Sequence, residues 1–201
     1  MSKPVIAIDI DDVLSANAEA FTAFSNQRFG TSLQATDYDE HWARMWGVDM
    51  AETERRAVEF HASGVVAEYS RKDNAREVLQ ELSSRYKLIV VTSRRRSIES
   101  HTRAWIAEQY PDIFDDILFA GIYDEGLKKE HFQMTKSDLF TSSAVSFVID
   151  DQLKHCLAAV ELGIETILFG NYSWNQADEL PALLTRCENW LAVGEYFDKR
   201  N

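Results

Sequence analysis

Val5-Ile6-Ala7-Ile8-Asp9-Ile10-Asp11-Asp12-Val13 is the stretch whose reading decides the fold. Its nearly continuous apolar run, Val5 to Ile10, reads as a strand covered on both faces, because a strand with one wet face would alternate apolar and polar residues. Acids crowd the carboxyl end of that strand. Outward from it, Leu88 to Thr92, Ile117 to Phe119, Val145 to Ile149 and Thr166 to Phe169 have the same short, apolar, β-branched character. Helical stripes fall between them: Ala75, Val78, Leu79 and Leu82 after an Asp73 N-cap, then Ile98, Thr102, Trp105 and Ile106, then Leu153, Cys156, Leu157 and Val160 before Gly163. Strand and helix in alternation imply a parallel sheet with crossover helices. The expected fold is α/β, a doubly wound (Rossmann-like) parallel sheet.

Residues 15–70 break the alternation. Phe21, Phe24, Phe29, Trp42, Met45, Trp46, Phe60 and Tyr69 are spread over helical segments with no strand signal. An insertion of this size is more than a crossover, so a small helical cap domain is expected at 15–70, inserted after the first strand into a core domain formed by 1–14 and 71–201. The cap would lie over the carboxyl ends of the strands, where open α/β sheets bind ligands.

The 201 residues, 45% of them hydrophobic, suffice for one substantial core and a small accessory unit. A formal charge of −12 repels a nucleic-acid backbone or an anionic membrane at long range, so neither a nucleic acid polymer nor a membrane is expected as partner. Cys156 and Cys187 have no metal-ligand spacing and read as reduced core thiols. Met1-Ser2-Lys3-Pro4 runs straight into the first strand without a signal-peptide pattern, and no apolar run approaches the roughly 20 residues of a spanning helix, so the cytoplasm is the expected compartment. A homodimer is left open.

Four polar groups lie at or near predicted strand ends on one edge of the sheet: Asp9 and Asp11, Thr92 and Ser93, Lys136 in the loop before the fourth strand, and Asp150 and Asp151. Each alone reads as a cap or a solvated turn. Together they converge. Like charges about 4 Å apart cost on the order of 4 kcal/mol at an effective dielectric near 20, a conflict that a hard cation resolves. Magnesium prefers oxygen ligands and sits with one or two carboxylates plus substrate phosphate; the absence of His and Cys at these strand ends counts against zinc. A carboxylate can attack phosphorus, and a second one two residues on can protonate the leaving oxygen and later activate water. Lys136, Thr92 and the metal would neutralise the transferring group. A small phosphate ester is thus an acceptable ligand for an acidic chain.

Asp9-Ile10-Asp11-Asp12-Val13, Thr92 after its apolar strand, Lys136, and Ile149-Asp150-Asp151 resemble the four motifs of the haloacid dehalogenase-like (HAD) superfamily, over essentially the whole chain. Within it, the insertion, Val91-Thr92-Ser93-Arg94 and Leu168-Phe169-Gly170-Asn171-Tyr172-Ser173-Trp174-Asn175 look like bacterial relatives of the 5'(3')-deoxyribonucleotidases. The resemblance implies Asp9 as nucleophile, Asp11 as general acid and base, and Thr92 and Lys136 as phosphate ligands. It implies Mg2+ on Asp9, the carbonyl of Asp11, and Asp150 or Asp151, with Asp151 preferred. The implied activity is a magnesium-dependent phosphomonoester hydrolase working through an aspartyl-phosphate, a 5'-nucleotidase acting on nucleoside monophosphates. Two departures concern substrate selection: Asn17 stands where animal deoxyribonucleotidases have a base-stacking aromatic residue, and Ser70-Arg71-Lys72-Asp73-Asn74 replaces a usual Pro-Gly.

Trp42, Trp46 and Phe60 read as packing before base stacking, and His41 and His61 as surface or capping residues. Arg94-Arg95-Arg96 reads as a solvated helix start, with Arg94 also a candidate ligand for substrate phosphate or ribose. Trp174-Asn175 reads as a turn and Asp112 to Asp116 as a loop. Two alternatives are kept: a non-nucleotide phosphate ester as substrate, and a catalytically silent binding or regulatory protein of the same fold. A dehalogenase has no use for the acid at Asp11. A phospho-receiver domain is disfavoured by the order of the motifs.

Overall fold

In the computed structural model, which describes residues 3–120 and 134–200, β1 (Val5–Ile8) is an inner strand of a six-stranded parallel sheet. The others are β2 (Lys87–Thr92), β3 (Asp116–Phe119), β4 (Val145–Asp150), β5 (Glu165–Phe169) and β6 (Leu184–Cys187), in the order β3-β2-β1-β4-β5-β6. Every neighbouring pair is parallel. The chain winds outward in one direction from β1 to β3, then returns to start the other half at β4. The switch point therefore falls between β1 and β4, and the crevice beyond their carboxyl ends is where such sheets bind ligands. Successive side chains of a strand point to opposite faces. Accordingly Ile6 and Ile8 pack with Leu79, Leu82, Trp190 and Phe197, while Ala7 packs with Leu139, Phe140, Val148 and Ala159.

Between β1 and β2 lie α1 (Asn17–Phe29), α2 (Trp42–Trp46) and α3 (Met50–Ala62), with 3-10 turns at Ala35–Asp37 and Val65–Glu68. Phe21 is their hub, with the rings of Trp42, Trp46, Phe60 and Tyr38 centred 4.6 to 5.5 Å away. Burial of each such ring stabilises by roughly 1.5–3 kcal/mol. Trp46 and Phe60 are buried, as packing predicts, and the Trp46 indole N–H donates to Ser25 Oγ at 3.0 Å. The segments joining this insertion to the sheet are clasped: Ala16 N donates to Ser70 O and Lys72 N to Leu14 O, both at 2.9 Å. Indole N–H groups of Trp190 and Trp105 hold the same segments through the carbonyls of Val13 and Tyr69, each at 2.8 Å.

The remaining helices lie on connections between parallel strands, except the last, which follows β6. α4 (Ala75–Arg85), α5 (Glu99–Gln109) and α8 (Trp190–Asp198) send Leu79, Leu82, Trp105, Ile106, Trp190 and Val193 into the larger core. α6 (Lys136–Ser142) and α7 (Leu153–Glu161) supply Leu139, Phe140 and Ala159 to the opposite face.

Several local expectations change. Lys136 is not in a loop but is the first residue of α6, because Thr135 and Asp138 form a reciprocal capping box that starts the helix one residue before it. Asn74, not Asp73, caps α4; its φ of +59° is a left-handed conformation that Asn tolerates better than most residues. Asp116 opens β3 rather than closing a loop. β6 was not anticipated, since Leu184-Thr185-Arg186-Cys187 has a charged residue and no apolar run, as suits a strand at the sheet edge.

Candidate active site

The edge of the sheet at the switch point carries the acids. Asp9 continues β1 by one rung, its N–H donating to Ile149 O at 2.9 Å, and is buried. The chain then turns back: Leu14 N and Ser15 N donate to Ile10 O at 2.8 and 2.9 Å, with Asp12 at φ +58°. That turn lifts Asp11 out of the strand and sends Asp12 inward. Asp12 accepts from Ala18 N at 3.0 Å and from Asn17 Nδ2 at 3.2 Å, and its Oδ1 lies 3.4 Å from Lys72 Nζ. Burial pushes its pKa up to about 6, against the pull of Lys72. Asn17, the residue in the base-stacking position, also accepts from Tyr69 O–H at 3.0 Å, so it is a buried polar link inside the insertion.

Lys136 joins two strand ends. Its ammonium donates to Asp9 Oδ1 and to Asp150 Oδ2, each at 2.7 Å. Burial works against the ammonium, but Asp150 and Asp9 outweigh it and raise its pKa. Burial likewise pushes Asp9 up to about 7, although Lys136 opposes the shift. Asp151 is held well above the ordinary carboxylate range by burial and then by Asp150 and Asp9. Asp9, Asp150 and Asp151 each present an oxygen within 4.8 Å of the others. Three carboxylates against one ammonium leave buried negative charge uncompensated, and the donors are all hard oxygens; the set fits a hard divalent cation.

Asp11 stands outside that trio. It accepts from Arg94 Nη2 at 2.6 Å and Nε at 3.0 Å. Arg94 is buried, also donates to Thr102 Oγ1 at 3.3 Å, and lies over the Tyr69 ring at 5.4 Å. Burial disfavours its charge, yet Asp11 raises its pKa overall. Thr92 Oγ1 accepts from Arg94 N at 3.2 Å. Ser93 Oγ is buried without a hydrogen-bond partner.

A cavity of about 990 Å³ opens above these groups. Asp9, Asp11, Thr92, Ser93, Arg94 and Lys136 line it from the sheet, and Tyr38, Trp42, Phe60 and His61 from the insertion. Burial, aided by Arg95, lowers the His61 pKa to about 4, so this imidazole is neutral near pH 7. The sequence-predicted residues thus fall into one site of two groups: Asp9, Lys136, Asp150 and Asp151 in mutual contact or close array, and Asp11 with Arg94 beside Thr92 and Ser93. Three contributors escaped sequence reading. Asp12 was visible only as one of an acidic pair, and neither Lys72 nor the Trp174 N–H on Asp151 has a local signal.

A parallel sheet in this order is the fold of solved HAD-superfamily hydrolases. The chain shares its fold with a haloacid dehalogenase-like family hydrolase from Streptococcus pneumoniae, at 19% identity and a TM-score of 0.70 over 97% of this chain and 98% of that one. A HAD-superfamily hydrolase of subfamily IA from Geobacter sulfurreducens matches at 18% identity and 0.63 over 99% and 97%. YfnB from Bacillus subtilis, assigned as a HAD-hydrolase and bound to magnesium, matches at 13% and 0.62 over 98% and 100%. No curated protein matches the chain. The family model described as "5' nucleotidase, deoxy (Pyrimidine), cytosolic type C protein" matches residues 3–123. The chain belongs to that family and is a phosphomonoester hydrolase of the 5'-nucleotidase type. Lys136, Asp150 and Asp151 lie beyond the matched residues, so their place in the site rests on geometry. Among the described residues no helix is long and apolar enough to cross a membrane.

Proposed function

We propose that the protein is a cytoplasmic, magnesium-dependent phosphatase that hydrolyses nucleoside monophosphates through an aspartyl-phosphate on Asp9. The observation that carries this reading is the Lys136 ammonium, 2.7 Å from both Asp9 and Asp150 at the foot of the cavity. Asp9 is the nucleophile: its carboxylate is fixed by a strand rung and a buried ammonium, which holds it in line for attack at little cost in ordering. Thr92, the unpartnered Ser93 hydroxyl and Lys136 receive the phosphoryl oxygens. Asp11 protonates the leaving oxygen and later takes a proton from the attacking water. Arg94 serves there too, as a ligand of phosphate or ribose in addition to its bond to Asp11. Mg2+ would be held by Asp9, Asp151 or Asp150, and the Asp11 carbonyl, and when bound it neutralises charge on the phosphate and on the acids. Residues 15–70 act as the cap domain on a core of 1–14 and 71–201, and their aromatic wall faces the nucleoside.

A panel of phosphomonoesters assayed with magnesium tests the reading. Nucleoside monophosphates should lead, and Asp9→Asn should abolish turnover. Activity that survives Asp9→Asn or chelation would sink the mechanism; a preference for sugar phosphates over every nucleotide would sink only the substrate.

A further inference from the structure

We propose that Trp174 is a positioning residue for the metal site: its indole N–H fixes the Asp151 carboxylate in the orientation that binds the cation. This rests on the reading of Asp151 as a magnesium ligand. Trp174 Nε1 donates to Asp151 Oδ2 at 2.6 Å, and Gln152 Nε2 donates to the same oxygen at 3.0 Å. Both side-chain donors thus fall on one oxygen, which leaves the lone pairs of Oδ1 to a cation. An indole has a single N–H and no acceptor, so this bond is the whole of its polar chemistry, and a short bond to an ionised carboxylate is of the stronger kind.

The ring cannot readily turn away. It stacks on Tyr172 at 4.4 Å and 6°, and Tyr38 of the insertion meets it edge-on at 5.3 Å. Tyr172 is itself fixed, its O–H donating to Asp12 O at 2.8 Å. The Tyr172 ring folds over Gly170, where φ is +79° and a Cβ would come 2.1 Å from Cε2, so no other residue fits beneath it. The backbone is tied from the same turn: buried Asn175 donates from Nδ2 to Asp151 O at 3.0 Å and to Phe169 O at 2.9 Å. Residues 172–175 therefore grip Asp151 by its carbonyl and by its carboxylate, and only the second grip depends on Trp174.

Partners of metal-ligating groups typically contribute about 10–100-fold to metal affinity. Trp174→Phe keeps the stacked ring and deletes the donor. Magnesium titrated into the metal-free chain by calorimetry should bind 10–100-fold more weakly in Trp174→Phe, and turnover should recover at raised magnesium with the substrate KM unchanged. A merely structural ring would not produce that recovery. Asp151→Asn is measured alongside. Should Asp151→Asn bind magnesium like the native chain, the reading of Asp151 fails and takes the proposal with it. Should Asp151→Asn lose magnesium while Trp174→Phe binds with native affinity, the reading stands and the proposal is overturned. The native chain gives a second readout if Trp174→Phe does not fold: among the five indole N–H resonances of 15N-tryptophan-labelled protein, one must shift on adding magnesium, at the calorimetric midpoint. No indole shift overturns the proposal.

Discussion

Lys136→Met removes the ammonium that lies 2.7 Å from both Asp9 and Asp150 while keeping most of the side chain's volume. At an effective dielectric near 20, each contact is worth about 6 kcal/mol of gross attraction, most of which offsets the cost of burying the three charges. Deleting one partner of a buried pair costs about 3–5 kcal/mol, because the remaining charge is stranded. Asp9 adds a pH signature. Its folded pKa of about 7 lies above its ordinary 3.8, so between pH 4 and 7 the folded chain binds more protons than the unfolded one. The stability of the metal-free native protein should therefore fall as pH rises through that window. Without Lys136 the Asp9 pKa rises further, so the fall continues to higher pH. The expected loss on Lys136→Met is about 3–5 kcal/mol at pH 8 and at most about half of that at pH 5, where Asp9 carries a proton in both proteins. Urea unfolding followed by circular dichroism, with chelator present at both pH values, measures it. A loss below about 1 kcal/mol at pH 8, or equal losses at the two pH values, would refute the charge argument.

Other perturbations separate packing from chemistry. Phe21→Ala, at the hub of the insertion's rings, should cost about 3–5 kcal/mol in the same urea assay with no difference between pH 5 and 8. Arg94→Lys cannot reproduce the two-pronged bond to Asp11 and should both lower kcat and raise KM, since Arg94 is read as partner of Asp11 and ligand of substrate; a raised KM at constant kcat would assign Arg94 to substrate binding alone. Magnesium should raise the melting temperature more at pH 8 than at pH 5, because at pH 5 it must displace a proton from Asp9. Equal shifts in a thermal scan would contradict that competition. Asp11→Asn should accumulate or slow turnover of the aspartyl-phosphate, visible after acid quench; an unchanged steady-state rate would exclude the acid and base role.

The sequence by itself determined the parallel sheet and the edge at which its chemistry gathers. Apolar runs such as Val145–Ile149 are legible because a strand covered on both faces admits little else, and the acids that follow them mark where the cover stops. The helical character of the insertion was legible in the same way, from eight large side chains without strand spacing, and its rings gather on Phe21 within the same cluster as the sheet's larger core. What only the tertiary structure decided are the partnerships. Lys136 meets Asp9 across 127 residues of chain, Arg94 meets Asp11 across 83, and Trp174 reaches Asp151 from a turn read only as a turn. Periodicity reports which face of an element is buried. It carries no information on which of several strand-end groups come within 3 Å, since that depends on the sheet order, the register of β1 against β4, and the left-handed bend at Asp12 that parts Asp11 from Asp9.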